Sequence, residues 1–176
     1  MSEILENTLK NEIDIFPVTL SMYRNEKYLE VNSKLMELID QEETTGPQGI
    51  KNSDGLSLHP FQTLNTHLHE KEEYSFFYDW VNACLKDYYH TYKLNTEGLR
   101  INLSWANVSK GMNEHRSHVH PNSWLSGIYY CTPNTPPTYF DTPLPHSRHG
   151  IVVQSESKLS QNVWQCPSET GTLILF

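Results

Sequence analysis

The sequence has few cysteines, and they form none of the spacings that mark a metal or redox motif. Its three cysteines, Cys84, Cys131 and Cys166, are odd in number and include no CxxC pair. The first residues are acidic and lack the basic start of a secretory signal peptide. We therefore expect a cytoplasmic protein whose thiols are reduced and packed as small apolar side chains.

Long apolar runs and basic clusters are also missing. No stretch approaches the ~20 apolar residues that a membrane-spanning helix needs. The 13 Lys and Arg residues are scattered and the formal net charge is −8, which argues against nucleic acid as an electrostatic partner. We accordingly expect no membrane and no nucleic-acid partner.

What the sequence does contain is enough apolar material for one domain. Its 176 residues are 37% hydrophobic and 11% aromatic, which is typical of a folding chain and predicts a single domain over residues 1–176. Residues 13–24 predict an opening strand, at a sheet edge because of Pro17. Apolar residues then recur at helical spacing after Asn25, a candidate N-cap, and again between Tyr74 and Tyr92. Residues 1–98 therefore form a largely helical part.

The character of the sequence changes after residue 98. Leu99, Ile101, Leu103 and Trp105 alternate with polar residues as in a half-buried strand, and several short strand patterns follow between Pro, Gly, Asn and Ser. Residues 99–176 therefore predict a β-sandwich or barrel, and the whole chain an α+β fold.

The stretch HRSHVHPNSWLSGIYY, residues 115–130, carries the strongest chemical signal. His118 and His120 are two residues apart, so in an extended segment both imidazoles point to one face, where they suit a first-row metal ion. His115 lies further back and is a candidate for a supporting or substrate-contacting role. A second HxH pair, His67 and His69, has no strand pattern around it and is interpreted as two solvated loop histidines.

Residues 113–130 also resemble a known family. Its motif reads roughly N-x-x-H-x-H-P-x-S-x-x-S-G-x-Y-Y, and the spacing before the first histidine differs here. The matching residues are Asn113, His118, His120, Pro121, Ser123, Ser126, Gly127, Tyr129 and Tyr130. The motif is typical of 2-oxoglutarate/Fe(II)-dependent oxygenases known mostly from marine bacteria and their phages. IDIFPV, KNSDGLS and FDTP add to the resemblance.

The resemblance implies a double-stranded β-helix, a jelly-roll or cupin-like fold, with the N-terminal helices packed on one sheet. It implies a dioxygenase, an oxidoreductase that uses Fe(II) and the cosubstrate 2-oxoglutarate to hydroxylate an unidentified small molecule or protein. His118 and His120 would bind the metal. Ser126, Tyr129 and Tyr130 are the cosubstrate-binding candidates, although the residues alone leave open which face of their strand lies inside. Asn113 and His115 would support the metal ligands or contact substrate. A homodimer in the cytoplasm, or in the host cytoplasm for a phage protein, completes these expectations.

The sequence departs from the family pattern in two places. His120 stands where the superfamily usually has Asp or Glu, so the site has either three histidines or a carboxylate from elsewhere. Glu114 and Asp141 are nearest in sequence, and Asp141 is interpreted as a turn residue. The chain also ends on the strand GTLILF without the distal histidine and arginine that follow in the family, so we expect C-terminal strands to be missing.

Two other function classes fit parts of the sequence. A zinc-dependent hydrolase or lyase would use the HxH pair and a zinc-bound water, but it would not account for the SGxYY likeness. A non-enzymatic jelly-roll module would bind a sugar or serve as a structural part of a virion.

Overall fold

The computed structural model describes residues 19–42, 44, 61–94, 98–109, 117–142 and 163–176, and all structural statements concern these residues. Two α-helices are present, α1 (Tyr28–Asp40) and α2 (Ser75–Thr91), and two 3₁₀ turns, Leu68–Glu70 and Glu72–Tyr74, precede α2. The strands in chain order are β1 (Ser21–Arg24), β2 (Phe61–Gln62), β3 (Asn107–Val108), β4 (Gly127–Tyr129), β5 (Thr138–Asp141), β6 (Val163–Cys166) and β7 (Thr172–Leu175). The α+β class predicted from the sequence is therefore confirmed.

The strands form small antiparallel sheets. The largest has the order β1-β7-β4, with Ser21 opposite Leu175 on one side of β7 and Gly127 opposite Leu175 on the other. Strands β2 and β3 form a second sheet, and β5 and β6 a third. Among the described residues β1 is an outer strand of its sheet, in agreement with the predicted edge position. Pro17 and the first part of the predicted strand, residues 13–18, lie outside the described residues.

Strand β7 is buried on both faces, which explains why apolar residues follow one another from Leu173 to Leu175. Leu173 and Leu175 pack toward α1 and α2, whereas Ile174 packs on the opposite face with residues of β5 and β6. The helical face is formed by the predicted stripes of both helices. Its buried members are Leu35, Phe77, Val81, Cys84, Leu85 and Tyr88.

The two ends of the helical stripes differ from the prediction. Helix α1 begins after Lys27, and the side-chain oxygen of Asn25 accepts a hydrogen bond from the Lys27 amide (2.9 Å). Asn25 thus closes the turn before the helix and is not its N-cap. Tyr92 follows α2, is partly exposed, and donates its hydroxyl hydrogen to Thr19 Oγ1 (2.8 Å).

The half-buried strand predicted over Leu99–Trp105 does not form. Ser104 instead makes a single parallel bridge with His67. The backbone of Ser104 is used by the turn before α2, since its carbonyl accepts from Leu68 N and its amide donates to Thr66 O. Leu103 remains 55% exposed. Alternation alone could not reveal that the hydrogen-bonding partner of this segment is a turn.

Among the described residues, no helix is long and apolar enough to cross a membrane.

Candidate metal centre

The histidine segment lies between β3 and β4 and has no regular secondary structure over residues 117–120. It ends in a turn in which the Ser123 amide donates to the His120 carbonyl (3.3 Å). Asn122 in this turn has a φ of 68°, a left-handed conformation that asparagine tolerates better than most residues. The sequence NS after HVHP therefore supplies the turn that directs the chain into β4.

The structure brings His118 and His120 together. Their ring centroids are 4.8 Å apart and their planes are inclined at 77°. The sequence predicted two imidazoles on one face, and this proximity agrees with it. Two imidazoles at this separation offer nitrogen ligands that suit Fe(II), Mn(II) or Zn(II).

His120 is the more buried of the two and is held against an aromatic ring. The Trp105 ring lies 5.9 Å from it, centroid to centroid. Burial, and then the neighbouring His118, lower the pKa of His120 below its ordinary value. A lowered pKa keeps the imidazole neutral at pH 7, which is the state that binds a metal. Trp105 was not among the predicted site residues, because its alternation with Leu103 suggested a packing role.

The start of the segment is attached to β5. The Ser117 hydroxyl donates a hydrogen bond to Asp141 Oδ2, and Asp141 is the last residue of β5. Asp141 therefore lies beside the residue that precedes His118, although 23 positions separate it from that histidine in the sequence. The sequence predicted a turn residue at Asp141. In the structure Asp141 is instead the last residue of a strand and contacts Ser117.

A third ligand is not found among the described residues, where no three His, Cys, Asp or Glu side chains are grouped closely enough to hold a metal ion. The two imidazoles thus fit part of an iron site. Asn113, Glu114 and His115 lie outside the described residues, so their predicted roles stay predictions.

The three predicted cosubstrate residues lie in β4 or directly beside it, and they divide between the two faces of the sheet. Tyr129 faces the helices, where its hydroxyl donates to Asn32 Oδ1 (2.6 Å) and its ring lies 4.8 Å from that of Phe77. Tyr130 faces β5 and β6, and its hydroxyl is 2.6 Å from Thr138 Oγ1. Ser126 pairs through both backbone hydrogen bonds with Phe176, which places it on the same face as Tyr130.

Burial raises the pKa of both tyrosines, so both phenols stay protonated and able to donate hydrogen bonds at neutral pH.

A buried threonine, Thr172, lies on the face of the sheet that is turned toward β5 and β6. Thr172 is opposite Tyr130 in the sheet and only 3% exposed, and within the described part of the chain its Oγ1 has no hydrogen-bond partner. The sequence offered no signal for this residue, since threonine is common in strands.

The second HxH pair differs from its prediction as a pair of solvated loop histidines. His67 is exposed, but the His69 side chain is only 13% exposed and its Nδ1 lies 2.8 Å from Ser104 Oγ. Its ring centroid is 5.9 Å from that of His67, farther than in the first pair. His69 therefore joins the turn before α2 to the segment that precedes β3.

The C-terminal part of the chain matches a protein-family model. The matched residues are 103–176, less than half of the chain, and the family is described as "Putative 2OG-Fe(II) oxygenase". No curated protein matches the chain. The matched segment contains His118, His120 and strands β3 to β7. The match supports the oxygenase family suggested by the HxHPxSxxSGxYY motif.

Proposed function

We propose that this chain is an Fe(II)/2-oxoglutarate-dependent dioxygenase in which His118 and His120 bind the iron. The observation that carries the proposal is the 4.8 Å separation of the two imidazole rings, inside the segment that matches the oxygenase family. A double-stranded β-helix over residues 99–176 is the architecture that we propose with it. The substrate class stays open between a small molecule and a protein.

The residues of the chain would bind and orient the reactants. With iron bound, 2-oxoglutarate and oxygen supply the oxidising chemistry, and decarboxylation of the cosubstrate to succinate accompanies hydroxylation of the substrate. His118 and His120 would occupy two positions on the metal and leave others open for the cosubstrate and oxygen. Trp105 would border the site on one side of His120, because its ring lies 5.9 Å from that imidazole, centroid to centroid.

The cosubstrate candidates can be ordered by their contacts. Ser126 and Tyr130 share the face toward β5 and β6, Ser126 opposite Phe176 and Tyr130 opposite Thr172. Tyr129 lies on the opposite face, toward the helices. The hydroxyls of both tyrosines are hydrogen-bonded, that of Tyr129 to Asn32 and that of Tyr130 to Thr138, so the face and not the hydrogen bond separates them. We therefore propose Ser126 and Tyr130 as the residues that contact 2-oxoglutarate, and a packing role for Tyr129.

Formation of succinate tests the proposal. The complete gene product is purified and incubated with Fe(II), oxygen and 2-oxoglutarate, with and without a broad panel of candidate substrates. We expect succinate above the protein-free blank, and we expect His118→Ala and His120→Ala to reduce it to that blank. His67→Ala, in the second HxH pair, is the matched control and should retain activity.

Two results would contradict the proposal. One is the absence of succinate with every substrate tested. The other is equal succinate formation by the wild type and both His118→Ala and His120→Ala, which would mean that the iron acts elsewhere or free in solution.

A further inference from the structure

We propose that Asp141 positions the histidine pair by holding Ser117, and that it is not itself a metal ligand. The inference rests on the proposed function, because it assigns a role to a residue beside the proposed iron site. Asp141 is one of the two carboxylates, with Glu114, that lie nearest in sequence to the histidines and that could replace a third histidine ligand.

The contact itself is a hydrogen bond between two chain segments. The Ser117 hydroxyl donates to Asp141 Oδ2, and both side chains are exposed. Ser117 directly precedes His118, so its position limits where the His118 backbone can lie. Loss of this hydrogen bond would therefore allow Ser117 to move, and the imidazole of the adjacent His118 would move with it.

Asp141 is a suitable anchor because it belongs to a paired strand. It lies opposite Val163 in the β5–β6 ladder, which continues through Phe140 and Trp164 to Thr138 and Cys166. Cys166 is completely buried. The Asp141 backbone is thus fixed by a sheet, whereas residues 117–120 have no ladder of their own.

The other end of the segment is held by different contacts. The Ser123 amide donates a hydrogen bond to the His120 carbonyl, and the Trp105 ring lies 5.9 Å from the His120 imidazole, centroid to centroid. Asp141 would thus fix the start of the segment, and Ser123 and Trp105 its end. Ligands held at both ends keep the separation that a metal ion requires.

The described geometry favours positioning over direct ligation. Asp141 does not join His118 and His120 in a three-residue group able to hold a metal, within the part of the chain that the structure describes. One of its two carboxylate oxygens is also engaged by Ser117.

Binding of Mn(II) by four variants tests this inference. Substitution of a residue that orients a metal ligand typically weakens metal affinity by about 10–100-fold. We therefore expect Ser117→Ala and Asp141→Ala each to weaken Mn(II) binding by about 10-fold. Asp141→Asn keeps an oxygen that can accept the Ser117 hydrogen bond and should stay within about threefold of wild type. Asp79→Ala, which removes an exposed carboxylate on α2, controls for the change in charge.

A direct ligand would give a different pattern. Asp141→Asn would then weaken Mn(II) binding as much as Asp141→Ala, and Ser117→Ala would leave it unchanged. That result would overturn the inference and would make Asp141 part of the metal site.

The metal-free chain supplies a readout that does not depend on the proposed function. The imidazole NMR signals of His118 and His120, assigned with the two alanine variants, should move in Ser117→Ala and Asp141→Ala but not in Asp141→Asn or Asp79→Ala. Unchanged signals in Ser117→Ala and Asp141→Ala would overturn the positioning role. If the wild type binds no Mn(II) but the signals still move in Ser117→Ala and Asp141→Ala, the proposed function is contradicted. The positioning of the histidines by the Ser117–Asp141 contact is then still supported.

Discussion

The Tyr129 hydroxyl donates a 2.6 Å hydrogen bond to the side-chain oxygen of Asn32, so strand β4 is joined to helix α1. The same amide donates through Nδ2 to the carbonyl oxygen of Cys131, also at 2.6 Å. Asn32 is a buried polar residue on the helix face that packs on the sheet. Its two bonds satisfy its own polar groups and align the strand that follows the histidine segment.

Removing the Tyr129 hydroxyl should therefore affect stability and leave cosubstrate binding intact. We expect Tyr129→Phe to lower the free energy of unfolding by about 1 kcal/mol and Asn32→Ala by about 3 kcal/mol, because the second change leaves two partners unpaired. Urea unfolding measures both. A Tyr129→Phe variant with unchanged stability that no longer binds 2-oxoglutarate would instead assign the hydroxyl to the cosubstrate.

The buried Thr172 hydroxyl, which has no hydrogen-bond partner in the described part of the chain, should cost stability. We expect Thr172→Val to raise the free energy of unfolding by about 1 kcal/mol, because a methyl group replaces a buried polar group without a partner. Thr172→Ser, which keeps the hydroxyl and removes the methyl group, is the control and should be destabilising. A clear loss of stability in Thr172→Val would show that the hydroxyl has a partner in solution.

Gly171 should tolerate no side chain. Its φ is +84°, and a Cβ atom there would lie 2.4 Å from Tyr28 Cβ. We expect Gly171→Ala to lower the free energy of unfolding by more than about 2 kcal/mol, since backbone strain and a steric clash act together.

Gly98 is the matched control for this prediction. It has a φ of +119°, and among the described residues other than its chain neighbours no atom lies within 4 Å of the added Cβ. Gly98→Ala should therefore show the backbone strain alone and a smaller loss of stability. Equal losses in the two variants would contradict the importance of the contact with Tyr28.

The thiols should react slowly in the native protein. Burial raises the pKa of Cys84 and of Cys131 to about 11. At pH 8 the thiolate fraction is then on the order of a hundredfold below that of free cysteine, and alkylation by iodoacetamide should slow accordingly.

These pKa values also predict the direction of a pH effect. Because the folded-state pKa is raised, the stabilising contribution is complete below the unfolded thiol pKa of about 8.5 and is lost as the pH rises toward 11. Melting temperatures measured across this range should fall in the wild type. The melting temperature should fall less in Cys84→Ala. An equal fall in the wild type and in Cys84→Ala would contradict the raised pKa of the Cys84 thiol as a cause of the pH effect.

The sequence predicted those elements whose apolar pattern matches their surroundings. The stripe from Phe77 to Tyr88 gave α2, and the continuous run in β7 gave a strand buried on both faces. It could not predict the loss of strand structure near Ser104, because that depends on a distant turn. It also could not choose between the faces of Tyr129 and Tyr130, since both sides of the sheet are covered, one by helices and one by strands.

In the candidate site, too, the sequence predicted the local feature and could not predict the contacts between residues that are distant in sequence. The HxH spacing predicted that two imidazoles would lie together, because that depends on local geometry. The contacts of Trp105 with His120 and of Asp141 with Ser117 join residues that are distant in sequence, and no periodic pattern records such pairs.

The most direct test of the account is anaerobic thermal unfolding with Mn(II), with and without 2-oxoglutarate. A ligand that binds only the folded state at 100 times its dissociation constant adds about 2.7 kcal/mol, which raises the melting temperature measurably. We predict a shift by 2-oxoglutarate that requires Mn(II), occurs in the wild type and in His67→Ala, and disappears in His118→Ala and His120→Ala. A shift that persists without Mn(II) or in the His118→Ala and His120→Ala variants, or no shift in any protein, would contradict a 2-oxoglutarate site built on these two histidines.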